Sequence, residues 1–135
     1  MDIFASELIY SGLKAFIDSK GNPYDCSVVD EEPYTPTYPL IVIHEIRNVS
    51  NPSYNTVFEK ISSIGYSIEI YAQTMGETSK KQIARELAKL VDEYMSAINL
   101  LRSGFVPDGL VRDASLHRII MTYTGNLHEN TRRII

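Results

Sequence analysis

The sequence predicts an α+β domain: a mostly antiparallel sheet of four to five strands with two helices packed on one face, in the order α-β-β-β-α-β and a further C-terminal strand. Three observations carry this. Ile64, Tyr66, Ile68 and Ile70 alternate with Ser67, Glu69 and Tyr71, the period of a half-buried strand from Ile64 to Ala72. Ser79 and Gln82 then have the S-x-x-Q spacing that caps a helix start. A stripe of Ile83, Leu87, Leu90, Val91, Tyr94, Met95 and Ile98 follows at helical spacing. Leu116 to Thr124 alternates again, with Ile119, Met121 and Tyr123 opposite Arg118, Ile120 and Thr122.

A chain of 135 residues is one domain of ordinary size, able to bury roughly 68% of its unfolded surface without staples. Hydrophobic content of 44% and charged content of 22% are those of a soluble globular protein, and no apolar run approaches the ~20 residues of a membrane span. Met1-Asp2-Ile3-Phe4 lacks a basic signal-peptide start, and Cys26 is the single cysteine. An intracellular, reducing site is therefore expected. The net charge of −4 is unevenly spread: residues 1–45 carry −6 and residues 46–135 carry +2. Two readings of this polarity stand, a solvated acidic loop and a head-to-tail contact between acidic and basic parts of neighbouring subunits. A nucleic-acid groove would need a denser basic patch.

In chain order, Asp2 can cap a first helix spanning residues 3–19, with Phe4, Leu8, Ile9, Leu13, Phe16 and Ile17 on one face. Gly12 weakens that helix by about 1 kcal/mol relative to alanine but lets another backbone come close. Gly21 and Pro23 end it. Cys26 to Val29 reads as a short strand, and Pro33, Pro36 and Pro39 make the following stretch a stiff extended connector. It is either a spacer or a partner-binding segment using Tyr34 and Tyr38. Leu40 to Arg47 opens with Leu-Ile-Val-Ile, apolar on both faces as in a central strand.

Residues 48–63 form a long connection carrying Tyr54, Val57, Phe58 and Ile61, too much apolar surface for a merely solvated loop. It reads as an extended hairpin that either buries these side chains on another molecule or folds them onto its own core. The second helix runs from Lys80 to about Leu101, some 33 Å at about 1.5 Å per residue. Gly104 is its expected terminator, with Phe105 packing back on the last turn. Pro107-Asp108-Gly109 and Gly125-Asn126 read as turns, and Leu127 to Ile135 as a returning edge strand or C-terminal arm (126–135) that pairs with the preceding strand or a neighbouring subunit.

No nucleophile elbow, P-loop, dinucleotide fingerprint or metal-ligand spacing occurs, so no catalytic, metal or cofactor residue is expected. His44 and Glu45 are neighbours on a strand and point to opposite faces, which makes His44 a sheet-surface histidine. Cys26 reads as a buried, inert thiol.

The element order, the phrase from Tyr66 to Gln73, the helix from Ser79, Gly104-Phe105 and the phrase from His117 to Gly125 together resemble the small tail terminator (tail completion) proteins of long-tailed bacteriophages and prophages. The likeness is one of pattern over most of residues 1–135, and the proline-rich 33–39 segment lies outside it. It implies a structural protein that assembles as a ring of six subunits on the head-proximal end of the tail tube. There it would end tube polymerisation and present a surface to the head connector. Its partners would be itself, the tail-tube protein and the connector, with no membrane, cofactor or specific nucleic acid, first in the bacterial cytoplasm and then in the virion. The residues nominated for assembly are Arg47, Tyr54, Val57, Phe58 and Ile61, the acidic Asp30, Glu31 and Glu32, and Arg132 and Arg133. A head-completion or connector protein of the same neck, and a small α+β ligand-binding module, are the alternatives.

Overall fold

Strand β3 (Ile61–Gln73) is the axis of the domain, paired along its length with β2 (Leu40–Ser50) on one side and β5 (Leu116–His128) on the other, both antiparallel. The computed structural model describes residues 5–20, 26–30, 35–50, 61–109, 113–128 and 133–135. Beyond β2 lies β1 (Ser27–Val29), the one parallel neighbour, and beyond β5 lies β4 (Leu101–Gly109), giving the path β1-β2-β3-β5-β4. A two-residue strand, β6 (Arg133–Ile134), also pairs with β5, at Leu127 and His128. The α+β class and the element order follow the sequence reading, with one more strand, β4, after the second helix.

Helices α1 (Ala5–Ser19) and α2 (Lys80–Ala97) share one face of the sheet. Ile64, Tyr66, Ile68 and Ile70 of β3 point into that layer together with Ile41 and Ile43 of β2 and Ile119, Met121 and Tyr123 of β5, all buried. The helices supply Ile9, Leu13 and Ile17 from α1 and Ile83, Leu87, Val91 and Met95 from α2. Spacings of four put each set on one side of its helix, so burying that side is what joins helix to sheet. Leu90, Tyr94 and Ile98 are only partly buried, at the margin of the stripe. Among the described residues no helix is long and apolar enough to cross a membrane.

Gly12 admits a side chain rather than a backbone. A Cβ there would lie 2.9 Å from Tyr94 Cζ, so the missing methyl is what lets the Tyr94 ring seat between the helices, beside Phe16 at a ring separation of 5.4 Å. Ser79 caps α2 as its spacing predicts, accepting from the Gln82 amide at 3.2 Å, while the Gln82 side chain donates onward to Glu86.

Residues 48–50 and 61–63, expected in the connection, extend β2 and β3 as paired strand, and three further boundaries differ from expectation. First, α2 ends at Ala97 rather than near Leu101. Asn99 takes the left-handed conformation (φ 70°), and the amides of Asn99 and Leu100 donate back to Ser96 and Met95, the paired bonds of a Schellman stop. Leu100 then drops into the core. Asparagine thus does what was expected of Gly104, which lies inside β4 at a register shift. Second, Pro107-Asp108-Gly109 is not a free turn but the end of β4, where a proline is tolerated because an edge strand has amides that need no partner. Third, Gly125-Asn126 is the continuation of β5. Gly125 is needed there because a Cβ would come within 2.7 Å of Leu100 Cδ2.

The connector before β2 is described from residue 35. Thr37 Oγ1 lies 3.2 Å from Ser27 Oγ, Pro39 accepts from the Ser27 amide, and the Tyr38–Pro39 peptide is cis. That segment therefore lies along β1; Tyr34 falls outside the described residues.

Candidate assembly surface

On the sheet face opposite the helices, the outward positions of three strands meet in one polar cluster. Arg118 Nη2 of β5 donates to Glu69 Oε1 of β3 at 2.6 Å, Tyr71 Oη donates to Glu69 Oε2 at 2.8 Å, and His44 Nε2 of β2 stands 3.8 Å from Glu69 Oε2. Burial pushes the Glu69 carboxyl up. The hydrogen bonds from Tyr71 and Arg118 and the charges of Arg118 and His44 outweigh that and hold it below its ordinary value. A carboxylate so saturated is a clasp across β2, β3 and β5 rather than a base aimed at a ligand.

The clasp has a pH signature. Because its folded pKa is depressed, Glu69 contributes stability that is fully present above the ordinary carboxylate value of 4.5 and is lost as pH falls through the lower folded value. With its side chain only 16% exposed, Glu69→Gln is expected to cost about 2 kcal/mol at pH 7 and to flatten the acid limb of a melting-temperature profile. An acid limb as steep as that of the parent would show that Glu69 is not the group responsible.

On the helix side, Tyr123 Oη donates to Asp92 Oδ1 at 2.8 Å, and Arg102 Nη1 of β4 lies 3.5 Å from the same oxygen. Burial, then the bond to Asp92 and its charge, push the Tyr123 hydroxyl far up, so it stays a donor at every working pH. This chain ties α2 to β5 and β4. Among the described residues no three His, Cys, Asp or Glu side chains are grouped to hold a metal ion, and the Cys26 thiol is buried.

Exposed apolar side chains gather instead at two places. One is the hairpin of β2 and β3, whose pairing continues to Ser50 opposite Ser62. At its base a bulge between Glu45 and Arg47 turns Ile46 (57% exposed) outward, and Val49 (46%) follows. The other is β4, where Leu101 (74%), Phe105 (46%) and Val106 (45%) are all open. Adjacent Phe105 and Val106 lie on opposite faces of β4, and each is nearly half exposed. Beside it, α2 and β4 enclose an open cleft of about 200 Å³ whose charged lining is Arg85, Lys89, Arg102 and Asp92, with the Arg102 guanidinium 5.4 Å from the Phe105 ring centre. Lys81, one turn before Arg85, lies in a separate depression along α2 together with Glu86 and Lys89.

Of the nominated residues, Arg47 is exposed on the hairpin and Ile61, half-buried, opens β3. Ile61 and Arg133 pair with His128 from its two sides, so the hairpin base and the C-terminal strand meet at the end of β5. Asp30 is exposed just after β1, at the far edge of the sheet and apart from that group. Tyr54, Val57, Phe58, Glu31, Glu32 and Arg132 lie outside the described residues. The apolar residues of β4 escape a reading by alternation because Gly104 and Pro107 interrupt it; Pro107 itself is the edge-strand signal. Searches of protein-family models and of curated proteins return no match to this chain, leaving its own surfaces as the ground for a functional reading.

Proposed function

We propose that the protein is a phage tail terminator: a structural subunit that forms a ring, of six copies by the resemblance, on the head-proximal end of the tail tube, stops tube growth and offers the head connector its docking surface. The observation that carries this reading is the β2–β3 hairpin, whose base exposes Ile46 and Val49 and whose connecting residues add Tyr54, Val57 and Phe58. Apolar side chains left open on a hairpin suit insertion against another protein better than they suit solvent. The sequence phrases around Tyr66 and His117 support the same family, and the α+β architecture is compatible with it.

The decisive experiment mixes purified protein with polymerising tail-tube protein and measures tube length by electron microscopy. Tubes of limited length at stoichiometric ratios are expected. Unrestrained growth under those conditions sinks the terminator reading, and binding to the connector alone would instead favour a head-completion protein of the same neck.

A further inference from the structure

β4 closes one side of the sheet, and among the described residues no strand pairs with its far edge. Which backbone groups face that edge follows from the register. The Ile135 amide donates to Asn126 O, so Asn126 directs its polar groups to the side of β5 on which β6 and β4 lie. β5 keeps unbroken register with β3, so Thr122 and Ile120 do the same, and Met121 between them turns toward β3. Gly104 and Val106 therefore bond to β5, whereas Phe105, opposite Met121, directs its N–H and C=O to the open edge. The Phe105 ring lies on the helix side with Met121. Arg102 is there too, 3.5 Å from Asp92 of α2, and so is Asp108, 3.4 Å from His117, which alternates with buried Ile119. On the outer side lie Leu101, Gly104, Val106 and Gly109, opposite Thr124, Thr122, Ile120 and Arg118.

We propose that this edge pairs with the same edge of a second copy, β4 antiparallel to β4 about a two-fold axis at Phe105. The axis stands normal to the sheet, so both copies keep their helices on the same face. Self-complementarity in that register argues for a second copy rather than a foreign strand. Turned end for end about Phe105, Leu101 meets Gly109, Arg102 meets Asp108 and Gly104 meets Val106, each pair occurring twice by symmetry. On the outer side, Leu101 (74% exposed) and Val106 (45%) each find a glycine, which leaves room for them. On the helix side the two Phe105 rings cover each other and Arg102 gains a carboxylate. Arg102 and Asp108 keep enough open surface for this, 47% and 65%, beside their present neighbours Asp92 and His117. The bulges on either side of Phe105, between Arg102 and Gly104 and between Val106 and Gly109, face one another, so the two strands stay matched in length. Phe105 supplies the backbone bonds, N–H to C=O in both directions, and the ladder stops at Pro107, which has no N–H to give. Such a contact uses one patch on both copies and closes at two. The inference goes beyond the terminator reading and does not depend on it.

The test is sedimentation velocity on the full chain, with Arg102→Glu and Asp108→Lys measured alone and mixed one to one, each checked for fold by circular dichroism. The parent is expected to form a dimer. Each variant alone should dimerise about tenfold more weakly, because two opposed charge pairs become two like-charged ones. Mixing restores the opposed pairs and should restore the dimer, which damage by either substitution to its own chain would not allow. Disulfide trapping reads the register independently of those variants. Phe105→Cys lies on the axis and should cross-link to its copy under oxidation, the natural Cys26 being buried. Leu101→Cys, though at a more exposed position, should not, since eight residues at about 3.4 Å each hold it roughly 27 Å from its copy. A mixture that does not recover, or Leu101→Cys cross-linking as readily as Phe105→Cys, overturns the proposal. A monomeric parent overturns it too and leaves the edge to a strand of another protein.

Discussion

Leu87→Asp is expected to abolish the folded state at room temperature rather than shift its melting point. Leu87 is fully buried in the middle of the inward side of α2, within the same cluster as Ile68 of β3 and Met121 of β5. The substitution forfeits about 2 kcal/mol of apolar burial and places an unpaired carboxylate where no described cation lines the core. Either the charge is buried or the group is forced to take up a proton, and both cost several kcal/mol. Against a total stability on the order of 5–15 kcal/mol, of which a domain of this size holds the lower part, the sum matches what holds the domain together. A circular-dichroism melt should show no cooperative transition. Leu90→Asp is the control: Leu90 lies at the partly buried margin, its carboxylate can reach water, and a lowered but cooperative transition is expected. A native melt for the Leu87 variant would mean that α2 packs on the sheet by another side.

What the sequence revealed and what it hid have separate physical causes. The two alternating strands and the α2 stripe were legible because each is a local periodicity with a single buried face, which tertiary packing reinforces. Ser79 was legible because a cap is a bond between residues three apart. The end of α2 was not: a glycine at 104 is a stronger textual stop than an asparagine at 99, and what decides between them is whether Leu100 finds a core pocket, made by the absent side chain of Gly125 on a distant strand. The same pocket explains why Gly125-Asn126 continues a strand although the dipeptide favours a turn. The clasp around Glu69 was invisible for a related reason. His44, Glu69 and Arg118 are far apart in sequence, and their meeting depends on the register that pairs Val42 with Glu69 and Glu69 with Ile120. Of the candidate surface, the charge polarity and the apolar hairpin could be read directly. The open edge of β4 could not, since nothing local says which strand ends outermost.

Replacing residues 52–60 by a two-residue Asn-Gly turn is expected to leave stability within about 1 kcal/mol of the parent, since shortening a loop changes closure entropy only slowly, while abolishing limited tube growth in the tail-tube assay. The cut spares the strand pairs described for the hairpin. Ser50 and Ser62 remain paired, and Ile61, which pairs with His128 of β5, is kept. An Asn-Gly turn suits the right-handed twist of the two strands it joins. What is removed is the apolar set Tyr54, Val57 and Phe58, so the experiment separates the two destinations open to it. If these side chains belong to the domain's own core, the variant loses several kcal/mol and melts early. If they serve as an arm, the melt is unchanged and only the interaction with the tube fails. A variant that both melts normally and still limits tube length removes the hairpin from the mechanism, and the open edge of β4 becomes the surface on which any capping activity has to rest.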